Sequence, residues 1–431
     1  MIISAIGFAC LLVLVMARVP IAFAMGLVGF FGFAAVANMR GALGMSARLV
    51  IDTAQDYGLS VVPLFILMGN LVNRAGLADE LYRASYAFLG HLRGGLAMAT
   101  IVACGAFSAI CGSSLATAAT MSKVAMPPMR RYGYSDDLAS ASIAAGGTLG
   151  ILIPPSVILV IYGLLTQASI GKLFIAGILP GLLGIFFYLL AVRFVVWRDP
   201  DRGPVGERHS WRHRALALRD VWGTLALFVL VIGGIYGGVF TPTEAAGVGA
   251  GGAFLMALAR GRLDLKGLAS VLGESVRTTA SLFAIVIGAL IFSNFVNRAG
   301  LPGDLVALIT AFELPSMAII LMILAIYILL GCIFESLSML LLTVPIFFPI
   351  VQDLGFDLIW FGIIVVVVTE ISLITPPVGL NVFVLKGVLG DISTGTIFRG
   401  VTPFWIADIF RLLILVLVPG IALFLPNLMG P

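Results

Sequence analysis

Apolar residues in this chain form long unbroken runs instead of alternating with polar ones. Nine runs are nearly free of charge, and they cover residues 2–17, 21–37, 95–111, 173–197, 221–240, 278–296, 316–334, 357–373 and 405–425. A helix needs about 20 residues to cross a bilayer, whereas the strands of a membrane barrel show alternation. The pattern predicts an all-α polytopic membrane protein with roughly ten to twelve membrane-embedded helices.

Composition supports a lipid environment. The chain has 431 residues, of which 61% are hydrophobic and 11% charged, and its mean hydropathy is +1.14. Soluble domains have about 25% charged residues. Because no basic residue precedes the first apolar run, we interpret residues 1–17 as a retained span and not as a signal peptide.

Seven arginines lie between residues 193 and 219. Basic residues accumulate on the cytoplasmic side of membrane proteins. We therefore predict an N-terminal repeat half at 1–197, a basic cytoplasmic linker at 198–220 and a C-terminal repeat half at 221–431.

The two halves repeat each other in sequence. Residues 70–81 read "NLVNRAGLADEL" and residues 294–305 read "NFVNRAGLPGDL", while the proline pairs at 154–155 and 376–377 are 222 residues apart. Duplicated halves in a polytopic protein are typical of secondary transporters, whose sites lie where the repeats meet.

Each proline pair predicts a break in a membrane helix, because proline removes a backbone donor and clashes with the preceding turn. The first break would leave the carbonyls of residues 150–153 free, and hydrocarbon cannot satisfy them. A cation or a polar substrate can, as in the discontinuous helices of transporters. The alternative is a kink that neighbouring helices satisfy.

Hydroxyl-rich segments precede both proline pairs. They read "CGSSLATAAT" at 111–120 and "IFESLSM" at 333–339, and Thr369, Ser372 and Thr375 share one helical face. Small hydroxyl residues also serve as plain packing contacts between membrane helices. Opposite a break, we interpret them as ligands, and the pattern predicts two quasi-equivalent sites for a monovalent cation.

The sequence contains no motif for an energy source other than an ion gradient. The closest approach to a P-loop, "TQASIGKL" at 166–173, lacks the first glycine and the final hydroxyl. HExxH, GxSxG and paired cysteines are absent as well, so we expect neither an enzyme nor a metal centre. Glu335 and Glu370 are functional candidates because they lie at membrane depth. For Glu370, a place in a water-filled cavity or pairing with an arginine across a domain boundary is an open alternative.

Three segments together resemble the large membrane subunit of TRAP (tripartite ATP-independent periplasmic) transporters. They are "CGSSLATAAT", "GGTLGILIPPSVILVIYG" at 146–163 and "ITPPVGLNVFVL" at 374–385. The resemblance covers essentially the whole chain. Cys111 departs from it, since a serine is expected there, which puts a side-chain ligand at this position in doubt.

The resemblance implies a sodium-coupled importer of organic acids in the bacterial inner (cytoplasmic) membrane. C4-dicarboxylates, sialic acid or related carboxylates are the implied substrates, and Na⁺ is the coupling ion with no organic cofactor. The implied fold has two inverted repeats, broken helices, re-entrant helical hairpins and an elevator-type transport domain on a scaffold. The implied partners are a small four-helix membrane subunit and a periplasmic substrate-binding protein.

The resemblance also implies site residues. The first sodium site would comprise Ser113, Ser114, Gly150, Ile153 and Pro154. The second would comprise Gly331, Ser336, Ser372, Thr375 and Val378. The substrate would lie near Ser114, Pro155, Pro377 and Asn381. A stand-alone anion permease of the wider ion transporter superfamily remains the alternative, because it shares duplicated halves and broken helices.

Overall fold

The computed structural model describes residues 2–311 and 314–429, which fold into helices joined by turns and loops and contain no strand. Four of the helices in this part of the chain are long and apolar enough to cross a membrane, or six spans if two bent helix pairs each count as one. The other apolar helices have only 10–17 residues. Several of the predicted spans are therefore short helices, because turns and breaks interrupt the apolar runs.

The N-terminal half contains ten α-helices. The first five are α1 (Ile2–Met16), α2 (Ile21–Val36), α3 (Met39–Gln55), α4 (Val61–Arg74) and α5 (Leu77–Leu89). The next five are α6 (Gly95–Cys111), α7 (Ser114–Arg131), α8 (Asp136–Thr148), α9 (Val157–Thr166) and α10 (Ile170–Arg198). Helices α6 and α7 form hairpin 1 with its tip, tip 1, at residues 112–113. Residues 149–156 separate α8 from α9 and are called break 1.

The predicted linker at 198–220 begins where α10 ends, and it contains a helix of its own. The helices from here to the second hairpin are α11 (Trp211–Asp220), α12 (Trp222–Phe228), α13 (Gly234–Tyr236), α14 (Pro242–Ala259), α15 (Leu265–Arg298) and α16 (Leu301–Ala311). A π-helical segment, Val229–Gly233, joins α12 to α13. The cytoplasmic side of the linker stays a prediction.

The C-terminal half repeats the hairpin and the broken helix. Its helices are α17 (Ser316–Gly331), α18 (Ser336–Asp353), α19 (Leu358–Ile374), α20 (Leu380–Leu389), α21 (Thr394–Leu417) and α22 (Gly420–Leu428). Helices α17 and α18 form hairpin 2 with its tip, tip 2, at residues 332–335. Residues 375–379 separate α19 from α20 and are called break 2.

The duplication is visible in the helix boundaries. Shifted by 222 residues, α7 falls on α18 residue for residue, and the first residue of α8 falls on that of α19. Both proline pairs lie in the breaks and have cis peptide bonds. The predicted repeats with hairpins and broken helices are confirmed.

The helices form two packed groups. In the first, called the scaffold group, α15 lies along α2 and α4, and α14 packs on α4. In the second, called the hairpin group, α21 packs on α8, α10 and α19, and both hairpins join them. The groups meet where α18 contacts α15 and where α4 contacts α6 and α9. This boundary places the hairpin tips against the scaffold group.

Candidate functional site

Tip 1 lies directly on break 1. A Cβ atom built on Gly150 would be 2.8–2.9 Å from the carbonyl atoms of Ser113 and the amide nitrogen of Ser114. Gly112 has a left-handed φ of +63°, and its Cβ would be 2.7 Å from the Pro155 carbonyl oxygen. Only glycine allows these backbones to approach so closely. The fold thus brings Ser113, Ser114 and Gly150 together, while their role as sodium ligands stays a prediction.

Local hydrogen bonding explains where α7 begins. Ser113 has extended backbone, and its hydroxyl accepts a hydrogen bond from the Ala116 amide, so it caps the helix. The first amides of α7 therefore point into tip 1. Ser114, the first residue of the helix, is buried.

The carbonyls of break 1 are not all free, contrary to the prediction for residues 150–153. The Ile151 carbonyl accepts a hydrogen bond of 2.5 Å from the Ser156 hydroxyl. The Leu152 carbonyl faces α10, where a Cβ on Gly177 would be 2.5 Å away. Gly150 and Ile153 remain the predicted ligands of this break, followed by the buried Pro154.

Tip 2 lies on break 2 in a comparable way. Gly331 is in contact with the side chain of Ser372, and the Cys332 sulfur lies 3.6 Å from the Pro376 carbonyl oxygen. Ser336, the first residue of α18, is buried. Of the remaining predicted residues, Val378 is half-buried.

The hydroxyls of Ser372, near the end of α19, and of Thr375, in break 2, have protein partners already. Ser372 donates to the Thr369 carbonyl at 2.6 Å, and Thr375 donates to the Ile371 carbonyl at 2.5 Å. Thr375 also accepts from the Trp405 indole at 2.9 Å. A hydroxyl oxygen has two lone pairs, so Thr375 keeps one for an ion.

A cavity of about 170 Å³ lies between the two tips. Residues 112–115 and 335–337 form two of its walls, and Ile151 and Leu373 line it beside the breaks. The scaffold group contributes Ile66, Thr278 and Leu282 to its lining. At about 30 Å³ per water molecule, the space holds several waters or a small solute. It therefore lies where the two repeats and the two helix groups meet.

Asn381 links the two repeats beside this cavity. Its side-chain amide is fully buried and donates to the Ser114 hydroxyl at 2.9 Å and to the Ala144 carbonyl at 3.0 Å. Of the four residues predicted near the substrate, Ser114 and Asn381 are thus in contact. Pro155 is buried behind tip 1, and Pro377 is exposed. Their substrate role stays a prediction.

Glu370 does pair with an arginine, as one interpretation held, but within the hairpin group and not across a domain boundary. It is bonded to Arg411, which also lies 2.9 Å from Asp408, and all three side chains are fully buried. Arg411 and Asp408 were not predicted, because both lie in a run interpreted as nearly free of charge. The signal was present, since oppositely charged residues three apart inside an apolar helix are expected to pair.

Comparison with known proteins agrees with this architecture. A family model described as "Tripartite ATP-independent periplasmic transporter, DctM component" matches residues 8–421. The chain is similar to the C4-dicarboxylate TRAP transporter large permease protein DctM of Pseudomonas aeruginosa, with 39% identity over 88% of this chain and 89% of the relative. It is also similar to the sialic acid TRAP transporter large permease protein SiaM of Vibrio cholerae, with 34% identity over 96% of both chains.

A solved structure shares the fold at low sequence identity. The YdaH transporter of Alcanivorax borkumensis matches with a TM-score of 0.64 and 16% identity, covering 89% of both chains. This likeness concerns the fold alone. The family match over nearly the whole length, together with the paired hairpins and breaks, shows that the chain belongs to the DctM component family of the tripartite ATP-independent periplasmic transporters.

Proposed function

We propose that this chain is the large permease subunit of a sodium-coupled importer of an organic acid in the bacterial inner membrane. The observation that carries the proposal is the cavity on which both hairpin tips converge, each beside a broken helix. Broken helices expose carbonyls and amides at membrane depth, and an ion and a polar substrate can satisfy them.

In this proposal, sodium binds at each break. Carbonyl and hydroxyl oxygens are hard, neutral ligands, and unwound backbone carbonyls coordinate Na⁺ in transporters with broken helices. Tip 1 and break 1 supply one site through Ser113, Ser114 and Gly150. Tip 2 and break 2 supply the other through Ser336, Thr375 and the nearby Ser372 of α19.

The substrate carboxylate would lie in the cavity, between these two sites. Helices α7 and α18 both begin at the cavity, and the amide groups at a helix N-terminus favour negative charge. Glu335 lines the same cavity. Its negative charge would repel an anionic substrate, so we propose that it attracts the cation instead.

Transport would follow an elevator movement of the hairpin group against the scaffold group. The cavity lies on the boundary between the groups, so such a movement would carry a bound substrate from one side of the membrane to the other. A small four-helix membrane subunit and a periplasmic binding protein would complete the importer, in keeping with the tripartite description of the family.

Serine and threonine substitutions test the sodium sites. We expect Ser114→Ala and Thr375→Ala each to raise the sodium concentration for half-maximal uptake, because each removes an oxygen ligand. A loss of about 1–2 kcal/mol corresponds to about 5- to 30-fold. The measurement is substrate uptake into proteoliposomes at varied sodium and constant ionic strength.

Ser140→Ala is the matched control for these variants. Ser140 is also fully buried in the hairpin group, but its hydroxyl donates to carbonyls of its own helix, Asp136 at 2.6 Å and Asp137 at 3.4 Å. We expect its sodium dependence to equal that of the unaltered protein. Unchanged sodium dependence in both Ser114→Ala and Thr375→Ala would show that these two side chains are not sodium ligands.

Reconstitution separates the tripartite importer from the stand-alone anion permease. We expect proteoliposomes that contain only this chain to show no uptake above background. Addition of the small subunit and the binding protein should produce sodium-driven uptake. Full sodium-driven uptake by this chain alone would favour the stand-alone permease.

A further inference from the structure

Five polar side chains form a fully buried cluster inside the hairpin group, apart from the cavity. They come from α8, α10, α19 and α21, and none of them has measurable exposure. We call them the Arg411 cluster: Thr148, Tyr188, Glu370, Asp408 and Arg411.

The members are joined in one continuous chain of contacts. Arg411 is bonded to Glu370 and lies 2.9 Å from Asp408. The Tyr188 hydroxyl donates to Asp408 at 2.5 Å and lies 2.9 Å from the Thr148 hydroxyl. The order is therefore Thr148, Tyr188, Asp408, Arg411, Glu370, and its two ends lie on the two broken helices.

The two ends occupy equivalent positions in the repeats. Thr148 and Glu370 are 222 residues apart, which is the offset of the duplication. Each lies two residues before a proposed sodium ligand, Gly150 or Ser372. The cluster thus connects the ends of both first half-helices, through α10 and α21, immediately before the proposed sodium sites.

The chemistry of the cluster argues for a positioning role. Burying an arginine with two carboxylates costs desolvation energy, and well-packed apolar side chains often stabilise a core as well or better. Hydrogen-bonded charges, in contrast, fix distance and orientation between the groups that they join. Glu370 Oε1 and Arg411 Nε have no hydrogen-bond partner among the described residues.

We propose that the Arg411 cluster couples the two sodium sites, with Arg411 and Tyr188 as positioning residues that contact neither ion. The cluster holds both breaks in one relative arrangement, so that sodium bound at one break favours the geometry that the other requires. Such coupling is reciprocal between the sites. This inference rests on the proposed sodium-coupled function.

Tyr188→Phe tests the coupling, because it removes the hydroxyl that joins Thr148 to Asp408 and leaves all charges paired. The measurement is sodium-dependent uptake by the complete importer in proteoliposomes. We expect the Hill coefficient for sodium to fall from about 2 towards 1, and the half-maximal sodium concentration to rise about fivefold or more. A Hill coefficient equal to that of the unaltered protein would overturn the proposal.

Tyr327→Phe is the matched control. Tyr327 is also fully buried in the hairpin group, and its hydroxyl makes one bond of 2.7 Å, to Thr343 within hairpin 2. We expect this variant to keep the Hill coefficient, since it lies outside the Arg411 cluster. An equal fall in both variants would mean that any lost buried hydroxyl has this effect, and would also overturn the proposal.

A neutral triple variant, Glu370→Gln with Asp408→Asn and Arg411→Met, covers the case in which Tyr188→Phe fails to fold. It leaves no buried charge unpaired. We expect it to be monodisperse and to take up substrate without cooperativity for sodium, and retained cooperativity would contradict the coupling role. Absence of any sodium dependence in the unaltered importer would instead refute the proposed function itself.

Discussion

Gly150→Ala is expected to reduce sodium-dependent uptake to background. The added Cβ would lie within 2.9 Å of backbone atoms of Ser113 and Ser114, and backbone cannot move aside as a flexible side chain can. Tip 1 would have to separate from break 1, and the proposed ligands would separate with it. A misplacement of about 1 Å costs on the order of 100-fold in enzyme sites, and we expect a loss of that order in the uptake rate.

Two further alanine variants make this prediction specific. Gly331→Ala should cause a comparable loss, because the added Cβ would overlap the Cβ atom of Ser372, which precedes break 2 and cannot rotate away. Gly387→Ala should leave uptake unchanged, since Gly387 has no atom within 4 Å of its Cβ position. Uptake by Gly150→Ala at the rate of Gly387→Ala would show that the contact of tip 1 with break 1 is dispensable.

Local signals explain why much of the architecture could be predicted. A proline pair interrupts a helix wherever it lies, and a repeat at constant offset carries each interruption into the other half. Hairpin 2 and break 2 therefore follow from hairpin 1 and break 1, as the matching bounds of α7 and α18 confirm. Glycine at tip 1 is a local signal of the same kind.

Tertiary contacts explain what could not be predicted. Asn381 and Ser114 are 267 residues apart in the chain, and only helix packing brings them into contact. The Ile151 carbonyl was expected to be free, but the direction of the Ser156 side chain decides its partner. The Arg411 cluster was missed because averaging over a long apolar run conceals two charges that neutralise each other.

Arg411→Met alone is expected to destabilise the folded protein severely. It leaves Glu370 and Asp408 fully buried without their common cation. Removal of one partner from a buried ion pair costs about 3–5 kcal/mol, because the remaining charge stays out of water. The measurement is the free energy of unfolding in detergent micelles. The neutral triple variant described above should recover most of this loss, since it contains no unpaired charge.

Arg130→Met is the matched control, because Arg130 also binds two carboxylates, Asp136 at 3.0 Å and Asp391 at 2.7 Å. Its side chain is 38% exposed, and the hydrogen bond from Arg130 lowers the pKa of the Asp391 carboxyl. Water solvates both carboxylates when this arginine is removed, so we expect a much smaller loss than for Arg411→Met. Equal losses in the two variants would mean that burial does not determine the energetics of the Arg411 cluster. A neutral triple variant as unstable as Arg411→Met would mean that lost packing, and not an unpaired charge, causes the loss.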